Sequence, residues 1–460
     1  MSVRTATIAA VAAVAVLAPA AARGAGWTAP QMLSSASGAP SGTPTLAFDA
    51  RGWAFAAWAD RLGGHRSASR PPAASRFRPQ RVAPDTGEEV LEGAPPAPVV
   101  DAAGGVVAIQ QRRLGPACGL ATRFALTPRF GKVDGTFAPG QTAWTVYSHT
   151  EPPAVTLAGD ARGLTVVAWL GIERDTRGRC ERPVSASVRV AVRRPGASFG
   201  PLATLAHHVS TQSIASAVDA HGGIVLAWRT GHAIAVQMRS PSGVWDRVRR
   251  VSAGVVTSLA LSTAPDGTSY LLWTGRAAGA SLDTRDVSAA VLPAGSTRIT
   301  TRTLDHGIWP NDLFTLPAHF AVRLALLRRG AIASWTSWDG AHLRVQVATA
   351  TGAGFRGAQQ ATPAGQDWAM GDLAVGPAGQ PALALTSGAV ETAAGPFVAL
   401  GSAAGAFGTP EALGTGTAPV AGEALAFDPR TGRPTLVWIA GQSAAGRAPT
   451  TSAMAAMGER

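Results

Sequence analysis

Leu46-Ala-Phe-Asp49-Ala-Arg-Gly52-Trp53-Ala-Phe-Ala-Ala-Trp58 decides the fold: an apolar run, a tight turn ending in Gly, then a second apolar run whose Trp lies six residues after that Gly. The same spacing joins Gly163 to Trp169, Gly222 to Trp228, Gly267 to Trp273 and Gly432 to Trp438. Degenerate copies fill the gaps, with Gln110 after Gly104, Leu385 after Gly379, and Trp335 one residue early after Gly330. Eight units result; between the anchors Asp49 and Asp428 seven intervals span 379 residues, about 54 each. A period of this size marks a repeat architecture, in which neighbouring units stack to bury faces that none can bury alone.

Each unit parses into four strands. Unit four runs Ala215 to Val218, the turn Asp219-Ala-His-Gly222, Ile224 to Trp228, Ala233 to Arg239, the turn Pro241-Ser-Gly243, and Val244-Trp245 to Val251. Short β-branched and alternating runs separated by Gly and Pro turns read as strands. The segment Trp27 to Leu33 matches the fourth strands that begin at Phe199, Trp245 and Phe407, yet it precedes any first strand. Unit eight ends after Arg447 to Met454 without a fourth strand of its own, so the N-terminal segment completes it. The expected fold is an all-β propeller of eight four-stranded blades, closed by that exchange and forming one domain from residue 23 to 460; the alternative is seven blades plus an appendage, since units two, six and seven are degenerate.

Residues 1 to 22 read as a secretory signal peptide: Arg4, an apolar run from Ile8 to Leu17, and small residues at Ala20 and Ala22. The run falls short of the ~20 residues that span a bilayer, no comparable run follows, and the mature chain is expected to be exported without a transmembrane segment. Cys118 and Cys180 fall in corresponding loops of units two and three, and an oxidising compartment would let them pair as a disulfide. The formal charge is +12, but the 40 basic residues are 39 Arg and the single Lys132, scattered rather than clustered, so no nucleic-acid partner is expected. Arg70, Arg194 and Arg239 recur at the ends of third strands, which suggests a structural role.

This pattern of apolar run, Asp-x-x-Gly, apolar run and Trp resembles the secreted propeller repeat proteins of high-GC Actinobacteria, distantly sialidase-like in architecture. The resemblance covers nearly the whole mature chain and implies the fold more than any activity. A sialidase would need a Tyr nucleophile, and Tyr270 lies inside a core strand while Tyr147 sits near Glu151. Gly196-Ala-Ser198-Phe-Gly200 has the form of a nucleophile elbow but occupies a repeat turn, not a strand-to-helix turn. His207 and His208 are strand neighbours that should point to opposite faces, so neither a metal nor a cofactor is expected.

The recurring tryptophans read as packing between blades, because packing must recur whereas binding need not. The departures from the repeat gather on the face shared by the second-to-third-strand loops and the blade links. There the candidate ligand-binding residues are Trp144, Tyr147, Glu151, Trp309, Asp312, Asp367 and Trp368, aromatics beside carboxylates as carbohydrate or peptide recognition requires. The expected function is a secreted, monomeric, non-catalytic binding or scaffolding module for an extracellular glycan or a cell-envelope protein. The alternative is a polysaccharide hydrolase or lyase using top-face carboxylates such as Glu151 and Asp312.

Overall fold

The computed structural model describes residues 26–34, 40–60, 65–81, 96–116, 121–135, 137–138, 140–148, 153–172, 186–209, 213–276, 280, 284–308, 322–388, 394–402, 404–414, 420–442 and 450–458. They form eight antiparallel sheets and, among the described residues, no helix. Blade 3 is representative, with strands Val155–Gly159, Thr165–Ile172, Ala186–Arg193 and Ala203–Val209 paired in chain order. The first strands of successive blades touch one another in order, and that of blade 8, Val420–Phe427, touches that of blade 1, Pro40–Phe48. They therefore line the axis of a closed eight-bladed propeller.

Closure follows the sequence expectation. Gln31–Met32 pairs with Thr450–Met457 as the fourth strand of blade 8, and Trp27 bridges Gly458. Leu33 N–H donates to the Ala453 carbonyl at 2.7 Å and Thr28 N–H to that of Met457 at 2.8 Å. Fourth strands are more broken than their sequence suggests. In blade 4 an isolated Arg239–Trp245 bridge precedes a ladder confined to Arg249–Ser252, and the same aromatic bridge recurs at Phe137, Phe199 and Phe407.

The core is divided into eight apolar clusters, each built from two neighbouring blades. Trp58, Trp169, Trp228, Trp273, Trp335 and Trp438 are all buried in these seams, as packing between blades demands. Blade 2 carries Gln110 at the Trp position, and among the described residues the seam between blades 1 and 2 has just Phe55, Val106 and Val133 as its buried core. Gln110 instead accepts two hydrogen bonds from Arg129.

The Asp-x-x-Gly turns explain their own sequence. In blade 3, Asp160 Oδ1 accepts the Arg162 and Leu164 amides at 3.0 and 2.9 Å, and Gly163 sits at φ 92°, which a Cβ would disfavour. The third-strand arginines are also structural, with one shift of position. Arg70 lies over the rings of Phe48 and Phe77, but in blade 3 it is Arg193 that stacks over Phe130 at 4.9 Å, while Arg194 is exposed. The expectation that His207 and His208 point to opposite faces fails. Their rings approach to 6.4 Å because register shifts between Ala186 and Arg189 interrupt the pleat and His208 takes φ 54°.

Candidate functional site

Ladder register makes equivalent positions comparable between blades, and two positions on the inner strands are chemically uneven. Opposite the second-strand Trp, or Leu385 in blade 7, the first strands place Val155, Ile214, Leu259 and Met370, but blade 8 places Glu423. Opposite the preceding second-strand residue they place Thr45, Thr156, Ala215, Ala260 and Ala424, but blades 6 and 7 place Arg323 and Asp372. Three consecutive blades thus carry ionisable groups where the repeat supplies apolar or small ones.

These groups meet across the seams. Arg323 Nε lies 3.3 Å from Asp372 Oδ1, and Asp372 Oδ2 accepts the Leu425 amide at 2.8 Å, which ties blades 6, 7 and 8 together beside the axis. Their side chains are 30% and 23% exposed, so both are open to water. Glu423 is different: it is 2% exposed, and among the described residues neither carboxyl oxygen has a hydrogen-bond partner. Its room comes from Gly371, the extra residue where the register shifts between Met370 and Asp372; a Cβ there would collide with Glu423 Oε2.

Burial pushes the Glu423 carboxyl up to about 8, with Asp372 adding to the effect. The carboxyl is therefore held protonated at neutral pH. Asp372 is also raised by burial, against the pull of the Arg323 guanidinium and the amides of Leu425 and Leu373. Two other cross-blade contacts between first strands are neutral, Thr156 to Ser216 and Ser262 to the Leu324 carbonyl.

A second group of polar residues lies at the loop face of blades 5 to 7. Asp286 and His306 pair at the start of the third and the end of the fourth strand of blade 5. Asp367, in the link into blade 7, accepts the Leu343 amide at 2.8 Å and lies 3.4 Å from His342 Nδ1. Asp339 accepts the His342 and Ala341 amides, which hold its carboxyl below the usual range.

The sequence-derived candidates fall at separate places. Trp144 and Tyr147 share the outer strand of blade 2, Trp144–Ser148, where Trp144 packs against Trp169 at 5.0 Å and edge-on to Phe199 at 5.4 Å. Trp368 is 4% exposed and packs edge-on to Phe397 at 5.2 Å, so its indole is part of the seam between blades 6 and 7. Asp367 is beside it on the loop face, with blades 8 and 1 between this pair and blade 2. Glu151, Trp309 and Asp312 lie outside the described residues, as do Cys118 and Cys180. Sequence reading passed over Arg323, Asp372 and Glu423. Aligning the first strands on the Gly and Trp spacing would have exposed Glu423 as a charge at an apolar position.

No protein-family model and no curated protein matches the sequence. Among solved structures the chain is similar to the BP39L lectin from Burkholderia pseudomallei, at 12% identity and a TM-score of 0.51, over 82% of this chain and 100% of that one. Others are the Aleuria aurantia lectin, at 12% identity, TM-score 0.35 and 71% and 98% coverage, and a subtype N11 neuraminidase-like protein of A/flat-faced bat/Peru/033/2010, at 9%, 0.34, and 66% and 86%. At these identities the likeness to BP39L supports the fold alone.

Proposed function

We propose that this propeller is a secreted binding module that takes a carbohydrate of an extracellular or cell-envelope polymer at its loop face and axis. One observation carries the reading. Among the described residues, the first strands of three consecutive blades, 6 to 8, carry Arg323, Asp372 and Glu423 where the register elsewhere places apolar or small residues, and the pairs Asp286–His306 and His342–Asp367 lie at the loop face of blades 5 to 7. A hydroxyl-rich ligand is recognised by such mixed donors and acceptors on a rigid scaffold. The likeness of BP39L, a lectin covered over its full length, agrees with the same use of the fold. The signal peptide at residues 1 to 22 and a Cys118 to Cys180 disulfide belong to this reading, as does a monomeric single domain from residue 23. Of the sequence-derived candidates, Tyr147, Glu151, Trp309, Asp312 and Asp367 complete the set of side chains through which the face would act, with Trp144 and Trp368 supporting it from the seams.

The test is a glycan and cell-wall polysaccharide array probed with the mature protein, with released sugar assayed in the same wells. Binding that falls about tenfold or more in Asp367→Ala and His342→Ala supports the reading. Binding untouched by these changes and by Trp144→Ala removes the loop face from consideration.

A second reading, hydrolysis or lysis of a polysaccharide, has one observation in its favour: a carboxyl held protonated lies beside a second carboxyl, the pairing from which acid and base roles are made. Released sugar that disappears in Asp372→Asn would support it.

A further inference from the structure

We propose that the inner wall of blades 6 to 8 is a binding site for a protonated amine, as carried by an amino sugar, with Asp372 and Glu423 receiving the ammonium group and Arg323 fixing Asp372. The proposal rests on the carbohydrate reading above and narrows it to a class of sugar. Three observations bear on it. The cluster holds two carboxyls and one guanidinium, and the guanidinium lies on the blade 6 side of Asp372. On the blade 8 side the second carboxyl, Glu423, has no donor to either oxygen among the described residues although it is 2% exposed. The charges facing it are Asp372 and, behind that, Arg323; the strands packed against its own, Pro40–Phe48, Pro434–Gln442, Trp368–Val375, Pro381–Ser387 and Ala394–Leu400, carry no charged residue but Asp372. One negative charge is therefore unmatched whenever Glu423 ionises.

A buried carboxyl without partners is costly, and the other blades show that the fold accepts Val, Ile, Leu or Met at this position. Gly371 lacks the Cβ that would occupy the space the carboxyl fills, so the backbone accommodates the acid at this position. Empty, the site is satisfied by a proton on Glu423. An ammonium ion approaching along the axis meets the exposed edge of Asp372, donates to it, and displaces the Glu423 proton to solvent, so that two carboxylates face a guanidinium and an ammonium. Neutral sugars lack the charge needed for that exchange. Among the described residues no group of three or more His, Cys, Asp or Glu is placed to hold a metal ion, and two carboxyls form too small a set for a divalent cage.

Calorimetry of the full mature chain at neutral pH would use glucosamine, N-acetylglucosamine and potassium chloride as probes, each in two buffers of different ionisation enthalpy. The expected result is binding of glucosamine with release of about one proton, none for N-acetylglucosamine, and loss of the proton release with about tenfold or greater weakening in Glu423→Gln. That variant removes a buried ionisation, so a denaturant melt should find it folded; Arg323→Met, expected to weaken glucosamine by loosening Asp372, provides an independent readout. Equal binding of both sugars without proton release overturns the amine site while leaving the carbohydrate reading standing. Proton displacement by potassium chloride alone, equally sensitive to Glu423→Gln, assigns the site to an inorganic cation and overturns the amino-sugar proposal. No binding of glucosamine, with array signals still dependent on Asp367, also overturns it and spares the loop face.

Discussion

Glu423 couples the stability of the ring to pH. Its carboxyl titrates near 4.5 in the unfolded chain and about 8 in the folded one, so between those values the folded state holds a proton that the unfolded state has lost. The stabilisation linked to that proton is full below pH 4.5 and is lost as pH rises toward 8, amounting to as much as ~5 kcal/mol, much of it already gone at neutral pH. Glu423→Gln should flatten the pH dependence of the denaturant midpoint and leave the variant more stable than the parent at pH 8. A parent midpoint that is constant across this range would refute the assignment. The seam tryptophans are at the opposite extreme, apolar and fully used. Trp228, at 1% exposure, should cost roughly 3–5 kcal/mol on replacement by Ala, measured as a shift in unfolding free energy. Its role was legible in the sequence because six units repeat it, whereas Glu423 occurs once and has no motif around it.

At the scale of elements, each blade borrows from the next. Gln31 in the closing strand of blade 8 exchanges two hydrogen bonds of 2.8 Å with the Phe77 backbone of blade 1, and Gln141 does the same with Phe199 across blades 2 and 3. Arg249 reaches the Ser296 carbonyl and Arg302 that of Phe355, so the same outer reach recurs with other side chains. Gln31→Ala leaves the Phe77 amide without its acceptor and should cost about 1–3 kcal/mol, read from equilibrium unfolding. The Asp-x-x-Gly turns are linked as well: Arg51 donates to the Ala103 carbonyl of blade 2, and Arg430 to the Arg51 carbonyl from blade 8. Turn chemistry was readable from sequence because it lies within five residues. These clasps were not, since Gln31 and Phe77 are 46 residues apart and neither belongs to a recognisable motif.

Across the whole molecule the ring is uneven. Seven seams have extensive apolar clusters, while that between blades 1 and 2, with Gln110 in place of Trp, has three buried residues at its core among the described residues. Local opening should begin there, because a repeat array yields at its weakest interface. Native-state hydrogen exchange should find the amides of Val99–Val100 exchanging faster than those of Val155–Gly159; equal protection in both strands would contradict it. Closure at blade 8 bears the opposite load, since Gln31–Met32 is the only strand there drawn from the other end of the chain. A chain beginning after Leu33 loses the Trp27 and Leu33 contacts together and should unfold at markedly lower denaturant than the parent.

The repeat period, the all-β class and the exchange of strands at closure were determined by sequence alone, whereas the choice of eight blades over seven and an appendage was made by the eight sheets of the structure. Strand alternation, Asp-x-x-Gly turns and the Gly to Trp spacing are local signals, each complete within a dozen residues and reinforced by repetition. Tertiary structure alone decided which polar residues meet. Arg323, Asp372 and Glu423 are each about fifty residues from the next, and they come together because stacking sets neighbouring first strands side by side about the axis. Whether Trp144 and Trp368 present their faces outward was likewise a matter of packing, and the rings of Trp169, Phe199 and Phe397 take them into the seams. Local chemistry writes the blade; the contacts between blades depend on register and bulges, such as the one at Gly371, that no single unit encodes.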